Sequence, residues 1–323
     1  MKVIYNPLIK YLFWMKNMLV TNKEFLSSAM AKGYAVGAFN ISNLESLLAV
    51  VEASVEERSP VIVAVTPSSI KYAGLEYLVG MVKTAAESAS VPMSLHLDHG
   101  QDVETVLKCI DAGFTSVMID GSRLNFEENV SLTKRVVNLA HSKGVSVEGE
   151  LGRLMGIEES TVEEKDAILT DPNAAKEFVE RTDVDALAVA IGTSHGAYKF
   201  KAEPKLDSER LKSIRQKVNV PLVLHGASSV PSWIIKRAIK YGAELSGAKG
   251  IPDEHIVKAI SLGIAKINID TDLRLAFTGT IREVLATSPK KFDPRKILGP
   301  AKEAMKEIVR GKMRLFGSSG KAS

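Results

Sequence analysis

Three histidines near the ends of three predicted strands are the residues of this sequence best placed to do chemistry. They are His99, His195 and His225, and each is followed by a glycine that lets a backbone or a ligand come close. In a barrel of parallel strands the carboxyl ends meet at one mouth, so the three imidazoles would converge there. Three imidazole nitrogens form an open metal site whose fourth position is left for water or substrate. Asp98, directly before His99, would then be an acid or base beside the metal.

Further carboxylates lie at or near predicted strand ends. Asp120 ends the fourth strand, and Glu148 and Glu150 lie two residues apart on the fifth, so these two share a face. A carboxylate inside a parallel strand costs free energy unless it is paired or bound to a metal. Glu150 lies nearer to the mouth and is the better site candidate, whereas we expect Glu148 to have a structural hydrogen-bonding role.

Two glycine-containing turns suit a phosphate group. Residues 196–199 follow the second histidine and residues 226–229 follow the third, and small residues there expose backbone N–H groups. Residues 268–272 end the eighth strand, and phosphate sites in barrels are commonly built after strands seven and eight. The other three histidines, His96, His141 and His255, are expected to lie outside the site.

Alternating strands and helices must position these residues. A capping box at Thr21 and Glu24 opens a helix that Gly33 ends. Eight short apolar runs without two-residue alternation predict strands that are buried on both faces: residues 36–40, 61–66, 93–99, 116–120, 146–151, 187–191, 222–225 and 267–270. Eight strand–helix units predict an α/β fold, a closed (β/α)8 TIM barrel with an extra C-terminal helix at residues 294–311. An open doubly wound sheet is disfavoured because no GxGxxG or P-loop pattern follows any strand.

Composition limits the function further. The 323 residues carry a mild net charge of +4 that is spread along the chain, so we expect no nucleic-acid partner. The one cysteine, Cys109, excludes an internal disulfide and favours a cytoplasmic location. No stretch could span a membrane, and residues 1–17 are interpreted as an N-terminal extension or as the product of an upstream start before Met18. We therefore expect a single catalytic domain over residues 18–323.

Five motifs carry a family resemblance. LHLDHG, VEGELGRLMGIEE, ALAVAIGTSHGAYKF, LVLHGAS and KINIDTDLR resemble, in order and spacing, those of class II, metal-dependent fructose-bisphosphate aldolases, from about Met18 to the end. The resemblance implies that Asp98 donates a proton to the aldehyde oxygen and that Glu158, in a mobile loop, abstracts a proton. It implies a catalytic zinc ion, with a second divalent or a monovalent cation as a further candidate cofactor. The residues that it places at the metal are His99, His195, His225, Glu150 and Asp120.

The same resemblance implies sugar-phosphate substrates. Arg295 matches an arginine that reaches a neighbouring subunit's site for the second phosphate, so a homodimer or homotetramer is expected. Residues 66–69 and an insertion at residues 241–250 depart from the family pattern. The residues expected to bind substrate, besides Arg295, are Asn40, Gly196, Lys199, Gly226, Ser228, Asn268, Asp270 and Thr271.

Simple chemistry supports this activity against its rivals. Aldol cleavage needs an electron sink, which is either a metal or a lysine Schiff base. Lys266 lies at the start of the eighth strand, the wrong end for a Schiff base. Cleavage of the C4 epimer, tagatose 1,6-bisphosphate, is an alternative. Because relatives of that type tend to lack the acidic residue that matches Asp270, the resemblance favours fructose. A metal-dependent hydrolase is disfavoured because such barrels usually carry a His-x-His pair at the end of strand one, where this chain has Asn40. A non-catalytic sugar-phosphate-binding barrel would have lost Asp98 or a metal ligand, and this sequence retains them.

Overall fold

The computed structural model of the protein describes residues 18–157, 161–162, 167–195, 206–245 and 249–322, and of residues 155–157, 161–162 and 195 it describes only the backbone. Eight parallel strands close into a barrel, which confirms the predicted TIM-barrel architecture. The strands in chain order are β1 (Val36–Asn40), β2 (Val61–Val65), β3 (Met93–Gly100), β4 (Ser116–Ile119), β5 (Ser146–Leu151), β6 (Met155–Ile157), β7 (Thr161–Val162), β8 (Ala186–Val189), β9 (Ser194–His195), β10 (Leu222–Leu224) and β11 (Ile264–Ile269). Around the barrel the order is β1, β2, β3, β4, β5, β8, β10, β11 and back to β1.

Helices cover the outside of the barrel and close one end. They are α1 (Asn22–Lys32), α2 (Leu44–Glu57), α3 (Pro67–Ala73), α4 (Leu75–Ser88), α5 (Val103–Ala112), α6 (Phe126–His141), α7 (Pro172–Thr182), α8 (Ser208–Lys217), α9 (Ser232–Lys240), α10 (Asp253–Ser261), α11 (Thr271–Thr287) and α12 (Pro294–Phe316). The Thr21 capping box opens α1 and the left-handed Gly33 ends it, as the sequence predicts.

Helix α1 closes the amino-terminal end of the barrel. Its Phe25 and Leu26 pack against interior residues such as Val36 and Ile62. Asn22, at its start, accepts a hydrogen bond from Ser94 Oγ through its side-chain Oδ1 at 2.5 Å and donates its backbone N–H to Ser146 Oγ at 3.1 Å. Because this end is plugged, a ligand can reach the barrel interior only from the carboxyl ends of the strands.

The predicted strands agree with the structure to within a few residues, and every residue of β1, β2 and β3 is buried. Three features differ. The last helix continues to Phe316 instead of ending at residue 311, and a short helix, α3, follows β2. The segment after β5 contains β6 and β7, which form a small sheet with β9. Within the described residues, no helix is both long enough and apolar enough to cross a bilayer.

Candidate active site

Side chains from the carboxyl ends of β3 and β10 meet inside the mouth of the barrel. His99 Nε2 lies 3.0 Å from His225 Nδ1, and the two rings meet edge to face with centroids 4.7 Å apart. Both residues are buried. One potential ligand atom from each of Asp98, His99 and His225 lies within 4.8 Å of the other two, and the same holds for His99, Asp120 and Glu150. The structure thus brings together five of the residues that the sequence predicts for the site.

A local distortion of β3 lets Asp98 and His99 both face this mouth. Successive side chains of a regular strand point to opposite faces, so two neighbours would normally diverge. His99 has a φ of 51°, in the left-handed region, and the register between β3 and β4 shifts between Leu97 and Gly100. A left-handed conformation costs a non-glycine residue roughly 1–2 kcal/mol. Such strain is typical of functional sites, where the surrounding structure enforces it.

Each imidazole has a carboxylate on the side away from the other imidazole. His99 Nδ1 lies 3.0 Å from Asp120 Oδ2 and 3.7 Å from Glu150 Oε2, and His225 Nε2 lies 2.8 Å from Glu148 Oε1. The nitrogens that face the carboxylates donate, so His99 Nε2 and His225 Nδ1 direct lone pairs at each other. Two facing lone pairs repel unless a cation binds both. A carboxylate behind each imidazole is also the usual arrangement around a metal-bound histidine, so this donor set fits a divalent metal.

The protonation states agree with that arrangement. Burial lowers the pKa of His225, which keeps the imidazole neutral, the form that binds metal. Burial alone would raise the pKa of Asp120, but hydrogen bonds from His99 and Ser122 outweigh it and hold this pKa below its ordinary range. Asp120 is therefore ionised and can orient His99.

Two asparagines hold the Asp98 carboxylate. Asn40 Nδ2 donates to Oδ2 at 2.8 Å, and Asn268 Nδ2 donates to Oδ1 at 2.9 Å. Asp98 is fully buried. The Oδ1 atoms of both asparagines are buried, and no residue of the described part of the chain donates a hydrogen bond to them. Asn40 and Asn268, two of the residues that the resemblance assigns to substrate binding, thus also fix the orientation of Asp98.

The turn after β10 is packed tightly against the backbone of β9. Gly226 has a φ of 60°, and a Cβ there would lie 2.6 Å from the carbonyl oxygen of Ser194. Only glycine fits this position without moving β9. Further along, Asp272 accepts the backbone N–H groups of Ser229 and Val230 at 3.2 and 2.8 Å. The turn that the sequence predicts to bind phosphate is therefore held from two sides.

The remaining predicted residues lie at the strand ends, on the surface or outside the described part. Asp270 directly follows β11 and forms an ion pair with Arg274 at 2.7 Å, and Thr271 opens α11. Arg295, at the start of α12, has a side chain that is 90% exposed and donates to Asp293 at 2.8 Å. Outside the described residues lie Glu158, Gly196, Lys199 and the side chain of His195.

The sequence analysis predicts a structural hydrogen-bonding role for Glu148, which its contact with His225 confirms, but it names no partner with a positive charge for this carboxylate. Glu148 also accepts a hydrogen bond from Lys266 Nζ at 2.6 Å, and Lys266 lies 3.1 Å from His96 Nε2. The prediction kept Lys266 and His96 out of the site. A usable signal was present, since Glu148 and Lys266 are charged residues in barrel strands whose residues, apart from Leu151, are all buried.

The fold and the site together define a barrel enzyme with a histidine–carboxylate centre suited to a metal. Comparison with known proteins identifies the family: the family model described as fructose-bisphosphate aldolase class-II matches residues 20–244 and 245–321. The chain belongs to the class II fructose-bisphosphate aldolase family, a metal-dependent family of lyases, as the resemblance of the motifs predicts.

Individual relatives are similar to this chain over nearly its whole length. A fructose-bisphosphate aldolase of Thermus caldophilus is 58% identical over 306 residues, which cover 94% of this chain and 100% of that protein. One from Helicobacter pylori strain 26695 is 51% identical over the same length, with 94% of this chain and 100% of that protein covered. Among solved structures, the YdjI aldolase of Escherichia coli K12 has a TM-score of 0.77 at 36% identity and covers 94% of this chain and 100% of its own.

Proposed function

We propose that this enzyme reversibly cleaves fructose 1,6-bisphosphate to dihydroxyacetone phosphate and glyceraldehyde 3-phosphate. The observation that carries the proposal is the facing pair His99 and His225, with the Asp98 carboxylate held beside it by two asparagines. A metal site and a proton-transferring group are the two parts that metal-assisted aldol cleavage requires.

Zinc is the metal we propose, with His99, His195 and His225 as its ligands. Imidazole nitrogen is a common zinc ligand, and three of them leave a position open for substrate. When bound, the ion supplies the electron sink for the negative charge that develops at C3 as the C3–C4 bond breaks. Asp120 and Glu148 orient two of the ligands from behind. A second divalent or a monovalent cation is a further candidate, for which the His99, Asp120 and Glu150 group provides donors.

Asp98 is the group we assign to the proton at the C4 oxygen. In cleavage it accepts the proton of the C4 hydroxyl, and in condensation it returns that proton to the aldehyde oxygen. The amide groups of Asn40 and Asn268 each occupy one carboxylate oxygen, so the carboxylate cannot rotate away.

Glu158 is the proposed base at C3 of dihydroxyacetone phosphate in condensation. Glu158→Ala should slow the release of tritium from labelled dihydroxyacetone phosphate, whereas Glu159→Ala, the matched control next to it, should not. Equal exchange in the two variants assigns the base to another group.

The phosphate groups have two proposed binding regions. The candidates for binding the dihydroxyacetone phosphate end of the substrate are Gly196, Lys199, Gly226, Ser228, Asn268, Asp270 and Thr271. Strand-end backbone N–H groups suit an anion there.

For the second phosphate we propose Arg295 of a neighbouring subunit in a homodimer or homotetramer, since an arginine can bind a phosphate with two hydrogen bonds. Its exposure leaves it accessible to another copy of the chain. Arg295→Ala should raise KM for the bisphosphate and leave binding of dihydroxyacetone phosphate intact, and Lys296→Ala is the matched control. An unchanged KM excludes Arg295 from this role.

The C4 epimer is the second candidate substrate. Asp270, which favours fructose, lies at the end of β11, where a substrate phosphate group would lie. The ratio of kcat/KM for fructose 1,6-bisphosphate and tagatose 1,6-bisphosphate decides between the two, and a ratio below one reverses the assignment.

The direct test is cleavage of fructose 1,6-bisphosphate by the purified protein. We expect aldehyde release to stop when a chelator removes the metal and to return when zinc is added. A zinc-loaded protein that cleaves neither epimer would overturn the proposed activity.

We propose a cytoplasmic location, in keeping with the buried, unpaired Cys109 thiol, and fractionation of the source cells tests it.

A further inference from the structure

A charged group lies in the barrel directly behind His225. Glu148 Oε1 is 2.8 Å from His225 Nε2, and Glu148 Oε2 is 2.6 Å from Lys266 Nζ. Lys266 in turn lies 3.1 Å from His96 Nε2, and His96 Nδ1 lies 2.9 Å from Ser116 Oγ. These side chains are at most 2% exposed. They form a continuous chain of polar contacts, here called the His225 support, which consists of Glu148, Lys266, His96 and Ser116.

The His225 support crosses the barrel instead of following one strand pair. Glu148 lies on β5 and Lys266 on β11, and β8 and β10 lie between these two strands on one side. The ion pair therefore cannot arise from strand pairing. It requires both side chains to extend into the interior and meet below the turn that carries His225.

Stability does not account for this group. Taking an ammonium and a carboxylate out of water costs several kcal/mol per ion, and apolar residues of similar volume often stabilise a core as well or better. Much of the same interior is filled by small apolar residues such as Ala38, Ala64 and Ala188. The charges are concentrated where a metal-site histidine needs a partner, which points to a role in that site.

The contacts of Glu148 restrict its motion. One carboxylate oxygen is used by His225 and the other by Lys266, so rotation of the carboxylate would break one contact or the other. With Nε2 of His225 held as a donor, Nδ1 is the nitrogen left to face His99 Nε2. The partner of His99 differs in its surroundings, since the Asp120 side chain is 20% exposed and its second oxygen accepts the backbone N–H of Ser122 instead of a lysine.

We propose that Glu148 is the positioning residue of His225, that Lys266 and His96 hold Glu148 in place, and that the metal affinity of the site depends on this support. The inference rests on the proposed function in that it takes His225 as a metal ligand. Loss of a group that orients a metal ligand typically weakens metal binding 10- to 100-fold.

The test is the zinc dissociation constant, measured by competition with a chelator. Glu148→Gln should raise it about 10- to 100-fold, because the amide keeps an acceptor for His225 but loses the pairing with Lys266. The matched control is Asp185→Asn. Asp185 is also a buried carboxylate that contacts a histidine, His141, and a lysine, Lys23, but it lies at the start of β8, at the closed end of the barrel.

The control separates a positioning role from a structural one. Asp185→Asn should lower the melting temperature of the metal-free protein and leave the zinc dissociation constant within about twofold of the parent. Glu148→Gln should change the dissociation constant whatever it does to the melting temperature. A zinc dissociation constant within about threefold of the parent in Glu148→Gln overturns the proposal.

Two further measurements apply if Glu148→Gln does not fold. The double variant Glu148→Gln, Lys266→Met removes both charges together and should show the same weakened zinc binding. In the unmodified zinc-loaded enzyme, nitrogen NMR should find His225 bound to metal through Nδ1 and protonated at Nε2. Binding through Nε2 overturns the proposal without any variant. If the unmodified protein binds no zinc, the proposed function fails as well, whereas normal zinc binding in Glu148→Gln refutes only this inference.

Discussion

Two sets of ion pairs in this molecule use the same chemical groups in opposite surroundings. In the barrel interior, Glu148 and Lys266 form a pair whose side chains are 2% and 0% exposed. On the outside, helix α12 is joined to α2 by a network in which Glu56 is 42% and Arg314 is 56% exposed. The outer network consists of Glu52, Glu56 and Glu57 on α2 with Lys302, Lys306, Arg310 and Arg314 on α12.

The difference shows how burial determines what an ion pair contributes. Water and salt screen the outer pairs, so each is worth little and the loss of one is tolerated. The interior pair is not screened, and removal of one partner leaves an uncompensated charge inside the barrel. The outer network therefore fixes a helix by many small contributions, while the interior pair can hold a single side chain in one orientation.

The largest expected effect comes from removing one interior charge. Lys266→Met should lower the free energy of unfolding by about 3–5 kcal/mol, because Glu148 is then buried without a cation. Urea denaturation at pH 7 of the metal-free protein measures it. The double variant with Glu148→Gln should recover most of the loss, and equal destabilisation of the single and double variants would show that the charge is not the cause.

Asp98 is a buried carboxylate like Glu148, but its hydrogen-bond donors are the neutral amides of two asparagines instead of a lysine. Asp98→Asn should reduce kcat about 10²-fold or more through loss of proton transfer and retain zinc. Glu148→Gln should instead weaken zinc binding. Steady-state kinetics with zinc analysis checks both, and a variant at Asp98 with near-normal turnover contradicts the assigned role.

A smaller effect is expected from the outer network. Hydrogen bonds from Arg314 and Arg310 hold the pKa of Glu57 at about 2, below its ordinary value of 4.5. Glu57→Gln should lower the free energy of unfolding by about 1 kcal/mol at pH 7.

The pH dependence of that difference has a definite sign. A carboxyl with a depressed pKa in the folded state contributes stability above its ordinary pKa and loses it as the pH falls toward the folded value. The difference between parent and Glu57→Gln should therefore be constant above about pH 5 and shrink between pH 4.5 and pH 2. Urea denaturation across this range measures it, and a difference that grows on acidification is incompatible with the assignment.

The smallest effect is expected from an isolated surface pair. Glu104 and Lys108 stand four residues apart on α5, with side chains that are 78% and 66% exposed. Glu104→Gln should leave the urea midpoint unchanged within error, in 0.1 M or 1 M salt. A shift as large as that of Glu57→Gln would remove the distinction between networked and isolated surface pairs.

The sequence by itself was sufficient to predict the barrel strands, the first helix and the types of residue that form the site. Buried β-branched runs predicted the barrel strands, and the capping box at Thr21 with Gly33 predicted the limits of α1. Both patterns depend on neighbours along the chain, which is why they can be recognised without tertiary structure. The same applies to Asp98, His99 and His225, whose positions at strand ends predict one shared mouth.

Only the tertiary structure decided how these residues contact one another. Strand alternation predicts that Asp98 and His99 diverge, and the left-handed turn at His99 with a register shift against β4 overrides it. Lys266 lies at the wrong end of its strand for covalent catalysis, yet it reaches Glu148, 118 residues earlier in the chain. Such contacts follow from closure of the barrel, which brings distant strands to a common interior, and no local pattern specifies which buried charges meet there.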